Sequence, residues 1–153
     1  FATSLRRTKT TPGDPFARLE SQMASYLACT NSSRAGSGAS HGIGYILGGR
    51  YNLHHGHSSC VILPHVLRWN EATTAERQKK LSIAMGRPNN SAGNAVAELV
   101  QDLGLPARLR DVGIKEEQLA AIAEEAAKHP VVLSNPRPIA GPADVLQILR
   151  AAW

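Results

Sequence analysis

The chain has 153 residues, with 17 Lys and Arg against 12 Asp and Glu for a formal net charge of +5, and 42% of its residues are hydrophobic. That length suits one domain with its own core, which buries roughly 70% of the unfolded surface. Arg6, Arg7 and Lys9 precede any acid and the later cations are scattered among Glu and Asp, so a nucleic-acid-binding face is not expected, and no run reaches the 18 or more apolar residues of a membrane span.

Residues 1–13 carry Thr, Lys, Arg, Pro and Gly without apolar periodicity and read as a flexible basic tail. Asp14-Pro15 then opens a helix, with Asp as N-cap and Pro in the first turn. Phe16, Leu19, Met23, Tyr26 and Leu27 follow at helical spacing to about Cys29. Cys29 and Cys60 both fall in apolar helical patterns, as reduced and buried thiols of a cytoplasmic protein would. Residues 31–38 are rich in Ser and Gly and read as a loop. A short helix is expected from His41 to Leu47, ending at Gly48-Gly49.

The next helix starts near His55-Gly56 and runs through CVILPHVLRW, with a kink or break expected at Pro64. Thr73 with Glu76 predicts a capping box for a further helix that stops at Gly86. Ser91 to Leu103 is the next helix, closed by Gly104. A short turn through Leu109 and Val112 precedes an Ala/Glu-rich helix from Lys115 to Lys128, and the last helix follows Gly141-Pro142. VVL at 131–133 is too short for a strand, and no segment alternates with period two. The expected fold is all-α, a bundle of six to eight helices over residues 14–153.

The stretch from Gly38 to Asn70, GASHGIGYILGGRYNLHHGHSSCVILPHVLRWN, holds five of the six histidines. Imidazole binds metals or moves protons near neutral pH, and glycine admits close approach of backbone and ligand. His41 and His55 each stand beside a glycine at an expected helix start, so their rings can converge on one centre. A zinc or iron site wants three or four protein ligands. The remainder would come from His54, His57, His65 or residues outside the chain. Tyr45 lies four residues after His41, on the same helical face, and offers a proton or hydrogen bond to a substrate oxygen; a packed aromatic is the plainer reading. His129 reads as a helix-end residue favoured by the dipole, His65 as a core or groove histidine, and His54 as solvated. Ser58 and Ser59 lack a nucleophile elbow, and Gly48-Gly49 follows a helix and lacks the spacing of a nucleotide loop.

GASHGIGYILGG followed by HHGHSSCVILPHVLRWN resembles the signature of the iron-containing alcohol dehydrogenases, on the maleylacetate reductase side: G-x-x-H-x-x-x-H-x-L-G-G, then H-G, then L-P-x-V and Asn. LSIAMG, DLGLPARLRDVGI and SNPRPI resemble the family's last third, so the resemblance covers about residues 14–153. It implies an N-terminal nucleotide-binding α/β domain, a C-terminal helical domain, and substrate and metal between them. This chain matches the helical part, and the nucleotide-binding domain is expected to be absent from it. By motif position His41 and His55 match two metal-binding histidines, and the family's other ligands, an Asp and a His, lie further upstream than the chain reaches. Tyr45 stands where the family usually has a histidine close to the substrate. The implied cofactors are a divalent metal, iron or zinc, and NAD(P) only with the missing upstream domain; some reductases of the family work without metal.

Two readings follow. The first is the substrate and metal domain of a maleylacetate reductase-like or iron-type alcohol dehydrogenase, unable to transfer hydride alone. The second is a stand-alone, non-redox lyase, isomerase or cyclase of a small oxygenated substrate, with His41, His55, His57 and Tyr45 lining its pocket. Expected partners are a small-molecule substrate and either a second copy, as a homodimer, or the missing nucleotide-binding domain.

Overall fold

The computed structural model describes residues 1–30 and 35–153; the part of the predicted 31–38 loop that falls on 31–34 lies outside the described residues. Among the described residues there are eight α-helices, two 3-10 turns and no strand. The all-α expectation holds.

The first thirteen residues depart from the tail that composition predicts. Ser4–Thr10 forms helix α1, and its cations anchor it. Arg6 meets the Asp102 carboxylate at 2.8 Å, Arg7 meets Asp14 at 2.7 Å and Glu20 at 3.3 Å, and Lys9 donates to the Asp102 carbonyl oxygen at 2.6 Å. Each exposed pair contributes little, roughly 0.2–1 kcal/mol, but together they dock α1 against Asp14, Glu20 and Asp102.

Helix α2 spans Pro15–Ala35. Asp14 caps it as expected, its carboxylate accepting from the backbone N–H groups of Phe16 and Ala17 at 2.9 and 3.2 Å. The Arg7 guanidinium holds that carboxyl below the ordinary carboxylate range. The apolar stripe of this helix faces solvent rather than a core: Phe16 is 70% exposed and Tyr26 66%. Cys29 is exposed too, which corrects its reading as a buried thiol; Cys60 is half-buried.

Helix α3 runs Ala39–Tyr51, straight through Gly48-Gly49, where the sequence suggests a stop. The glycines stay helical because the real terminator is Asn52, in the left-handed region at φ 54°. Helix α4, His55–Ala84, passes through Pro64 without a break; the non-helical residue is Thr74, ten positions on. The hydroxyls of Thr73 and Thr74 both donate to the Asn70 carbonyl oxygen, at 3.1 and 2.8 Å. That back-bonding accompanies a kink at which two helices meet, so the further helix the sequence expects from Thr73 is present. The Thr73 hydroxyl bonds the Asn70 carbonyl oxygen instead of forming the predicted capping box with Glu76.

Ser91 caps α5, Ala92–Asp102, accepting from the Asn94 N–H at 3.2 Å. Ser91→Ala is expected to cost about 1 kcal/mol, read as a lowered urea midpoint; an unchanged midpoint would deny the cap its role. The 3-10 turns Leu109–Val112 and Glu116–Gln118 lead into α6, Leu119–Ala126. VVL forms α7, Pro130–Leu133, and α8 is Pro142–Ala152.

Helix α3 packs on α4, α6 and α7; α4 also meets α5 and α8, and α6 lies on α8. Ile43, Leu47, Ile62, Leu119, Ile122, Val132, Val145 and Leu149 fill the space between them and are fully buried. The core therefore forms around α3, the helix that carries His41 and Tyr45. No described helix is long and apolar enough to cross a membrane.

Candidate active site

His41 and Tyr45 share one face of α3, their ring centroids 4.8 Å apart and edge to face. The chain turns at Asn52 and re-enters as α4, whose first residue, His55, lays its ring 5.0 Å from that of His41 and 6.3 Å from that of Tyr45. A Cβ on Gly44 would lie 3.8 Å from the His55 ring, in ordinary contact, so the imidazole rests directly against α3. The convergence expected of His41 and His55 is present, and Tyr45 joins it.

His129 enters the same group, with its ring 5.5 Å from Tyr45. It is not a helix-end residue favoured by a dipole; it is the N-cap of α7, its Nδ1 accepting from the Val131 N–H at 3.2 Å. What brings it in is Gly42. A Cβ there would stand 2.5 Å from Val132 Cγ2 and 2.9 Å from the Val132 nitrogen, so the backbones of α3 and α7 meet at a distance only glycine permits. His-Pro before an apolar triplet was the available signal for the cap.

His57 sits elsewhere. Its ring pairs with that of His54 at 5.3 Å and, among the described residues, makes no ring contact with the other group. His54 is not simply solvated, since its Nδ1 caps α4 by accepting from the Gly56 N–H at 3.2 Å.

Beside His41 lies a cleft of about 390 Å³, lined in part by Ser40, Ser59, Leu63, Asn70 and Asn135. Asn135 is the joint of this region, and sequence reasoning assigned it no role. Its buried Oδ1 accepts from the Ala39 N–H at 3.1 Å and from Asn70 Nδ2 at 3.2 Å, while its Nδ2 donates to Asn70 Oδ1 and to the Arg137 carbonyl oxygen at 2.6 and 2.7 Å. Every polar atom of that amide is used, which fixes the start of α3 to α4.

The His41 and His55 rings lie edge to face. With metal–nitrogen bonds of about 2.0–2.1 Å, two imidazoles at a tetrahedral angle have centroids about 5 Å apart, and theirs are 5.0 Å apart. Among the described residues no third His, Cys, Asp or Glu completes a set.

His65 is half-buried on α4, away from these rings. Burial, reinforced by the Arg68 guanidinium, pushes its pKa down from 6.5 to about 4. Between those values the unfolded chain takes up a proton that the folded chain refuses. The contribution is fully present above pH 6.5 and is lost as pH falls to about 4. His65→Gln is expected to flatten that part of the stability profile, measured as urea midpoint against pH; an unaltered slope would refute it.

The chain matches the model of the Fe-containing alcohol dehydrogenase family, C-terminal, over residues 1–153. It is 34% identical over 150 residues to lactaldehyde reductase of Escherichia coli K12, a match covering 92% of this chain and 39% of that protein. It is 31% identical over 128 residues to maleylacetate reductase of Burkholderia cepacia, covering 84% and 35%. Its fold superposes on the crystal structure of an iron-containing alcohol dehydrogenase from Corynebacterium glutamicum with a TM-score of 0.85 and 28% identity, over 99% of this chain and 43% of that one. The chain thus spans about two fifths of the relatives it matches.

Proposed function

Since the chain belongs to the iron-containing alcohol dehydrogenase family through that family's C-terminal helical domain, we propose that it forms the substrate and metal side of an NAD(P)-dependent reductase of small aldehydes or keto acids. The observation that carries this reading is the convergence of His41, Tyr45 and His55 beside an open cleft.

When bound, a nicotinamide would supply the hydride and a divalent ion held in part by His41 and His55 would polarise the substrate oxygen. Tyr45, 49% exposed, donates a hydrogen bond from its phenolic O–H to the same oxygen. Ser40 and Asn70 offer hydrogen bonds that orient the rest of the substrate in the cleft. These residues alone do not transfer hydride. Among the described residues no strand leads into a glycine turn that would hold a pyrophosphate, and Gly48-Gly49 lies inside α3.

The test is NAD(P)H oxidation with lactaldehyde or maleylacetate, the compounds that name the two relatives. Turnover is expected from a protein that joins these residues to a nucleotide-binding part, and none from residues 1–153 by themselves. Tight NAD(P)H binding by residues 1–153 alone, or isomerisation or elimination without nicotinamide, would overturn the reading and favour the stand-alone non-redox enzyme.

A further inference from the structure

A cavity of about 560 Å³, sharing no lining residue with the cleft beside His41, opens where the middle of α4 faces α5, the turn Leu109–Val112 and the end of α8. Its apolar wall includes Pro64, Val100 and Trp153, and three guanidinium groups line it: Arg68, Arg108 and Arg110. No Asp or Glu lines it. A neighbouring cleft of about 210 Å³ shares His65, Arg68 and Ala151, adds Arg137, and is also without a carboxylate.

Elsewhere Arg6, Arg7, Arg50 and Arg87 each hold a carboxylate oxygen within 3.0 Å. The four around these cavities hold none among the described residues. Arg68 donates to Asn94 Oδ1 at 2.9 and 3.3 Å, Arg137 lies 3.8 Å over the Trp69 ring, and Arg110 lies 5.3 Å over Trp153. Trp153 is itself fixed, its Nε1 donating to the Ile114 carbonyl oxygen at 3.1 Å. The Arg108 side chain has no hydrogen-bond or ion-pair partner among the described residues.

Like charges gathered around one concavity repel each other until an anion enters, and guanidinium forks match carboxylate and phosphate geometry. The volume is that of a small-molecule site. His65, neutral at pH 7 because burial and Arg68 disfavour its charged form, can accept or donate there without adding to the repulsion. Burial also raises the Cys60 thiol pKa, so it lines the wall as an uncharged group.

We propose that this cavity binds a small organic anion carrying at least two negative charges, a phosphate ester or a dicarboxylate, with its charged groups on Arg68, Arg108 and Arg110 and its apolar body against Trp153 and Pro64. The site is independent of the His41 cluster and stands whether or not the reductase reading does.

The experiment is calorimetric titration of the protein with phenyl phosphate, phthalate and inorganic phosphate. Saturable binding of one of the first two is expected, weakened about 10- to 100-fold by Arg108→Ala and by Arg110→Ala, weakened by raised salt, and untouched by His41→Ala. Tighter binding of phenyl phosphate assigns a phosphate ester, and tighter binding of phthalate a dicarboxylate. No saturable heat from either, binding unchanged in both arginine variants, or inorganic phosphate binding as well as phenyl phosphate would each overturn the proposal. Both arginines are exposed, so the variants are expected to fold, which a thermal melt checks.

Discussion

Gly42→Val is expected to unfold the domain or leave it with a small residue of its stability. The Cβ alone would stand 2.5 Å from Val132 Cγ2, 2.9 Å from the Val132 nitrogen and 3.3 Å from the Val131 carbonyl carbon. Two of those atoms are backbone and Val132 is fully buried, so no side-chain rotation relieves the clash. Helix α7 is only four residues long, held between the His129 cap and buried Asn135. It would have to leave α3. Overpacking a core commonly costs about 1–3 kcal/mol, and backbone separation adds to that; a domain has only about 5–15 kcal/mol in all. Gly42→Ala already meets the conflict and should lower the urea midpoint clearly. Gly49→Ala, in the same helix with nothing within 4 Å of its new Cβ, should leave the midpoint unchanged or raise it, by about 0.5–1 kcal/mol at most. Equal midpoints for the two alanine variants would remove the argument for a contact that only glycine allows.

His41→Ala and His55→Ala are each expected to lower kcat/KM of the assembled reductase about 10²- to 10⁴-fold and to reduce bound divalent metal measured by elemental analysis. His41 is half-buried and His55 exposed, so the fold should survive both, and the urea midpoint separates loss of chemistry from loss of structure. Tyr45→Phe keeps the ring contacts with His41 and His129 and removes only the phenolic proton. A fall in kcat larger than any rise in KM is the outcome expected of a proton donor. Full turnover and full metal content in both histidine variants would sink the proposed site.

Several elements were legible because their causes are local. Asp14-Pro15, Ser91 and Gly141-Pro142 mark helix starts by capping chemistry that acts within three residues. The helical period of α5 and α8 needs nothing beyond the chain's own apolar spacing. The pairing of His41 with Tyr45 follows from four-residue spacing on one helix. The ordered motif from Gly38 to Asn70 was enough to point to the family.

What was misread depended on partners distant in sequence. The cations of 1–13 look like a tail until Asp102 and Glu20 are set beside them. Gly48-Gly49 resembles a helix stop because glycine is permissive, yet it is Asn52 that takes the left-handed conformation. Pro64 resembles a break, but the bend falls at Thr74, where two hydroxyls compete for the Asn70 carbonyl.

Taken by itself, the sequence determined the all-α class, most helix boundaries and the imidazoles worth watching, since propensity, capping and periodicity are short-range effects. Only the tertiary structure decided which of those side chains meet. His129 joins Tyr45 because glycine lets α3 touch α7, His57 turns to His54 instead, and Asn135 ties α3 to α4 through an amide with every polar atom in use. The ties through Asn135 are set by close packing across 65 to 96 residues of chain, which no local pattern encodes.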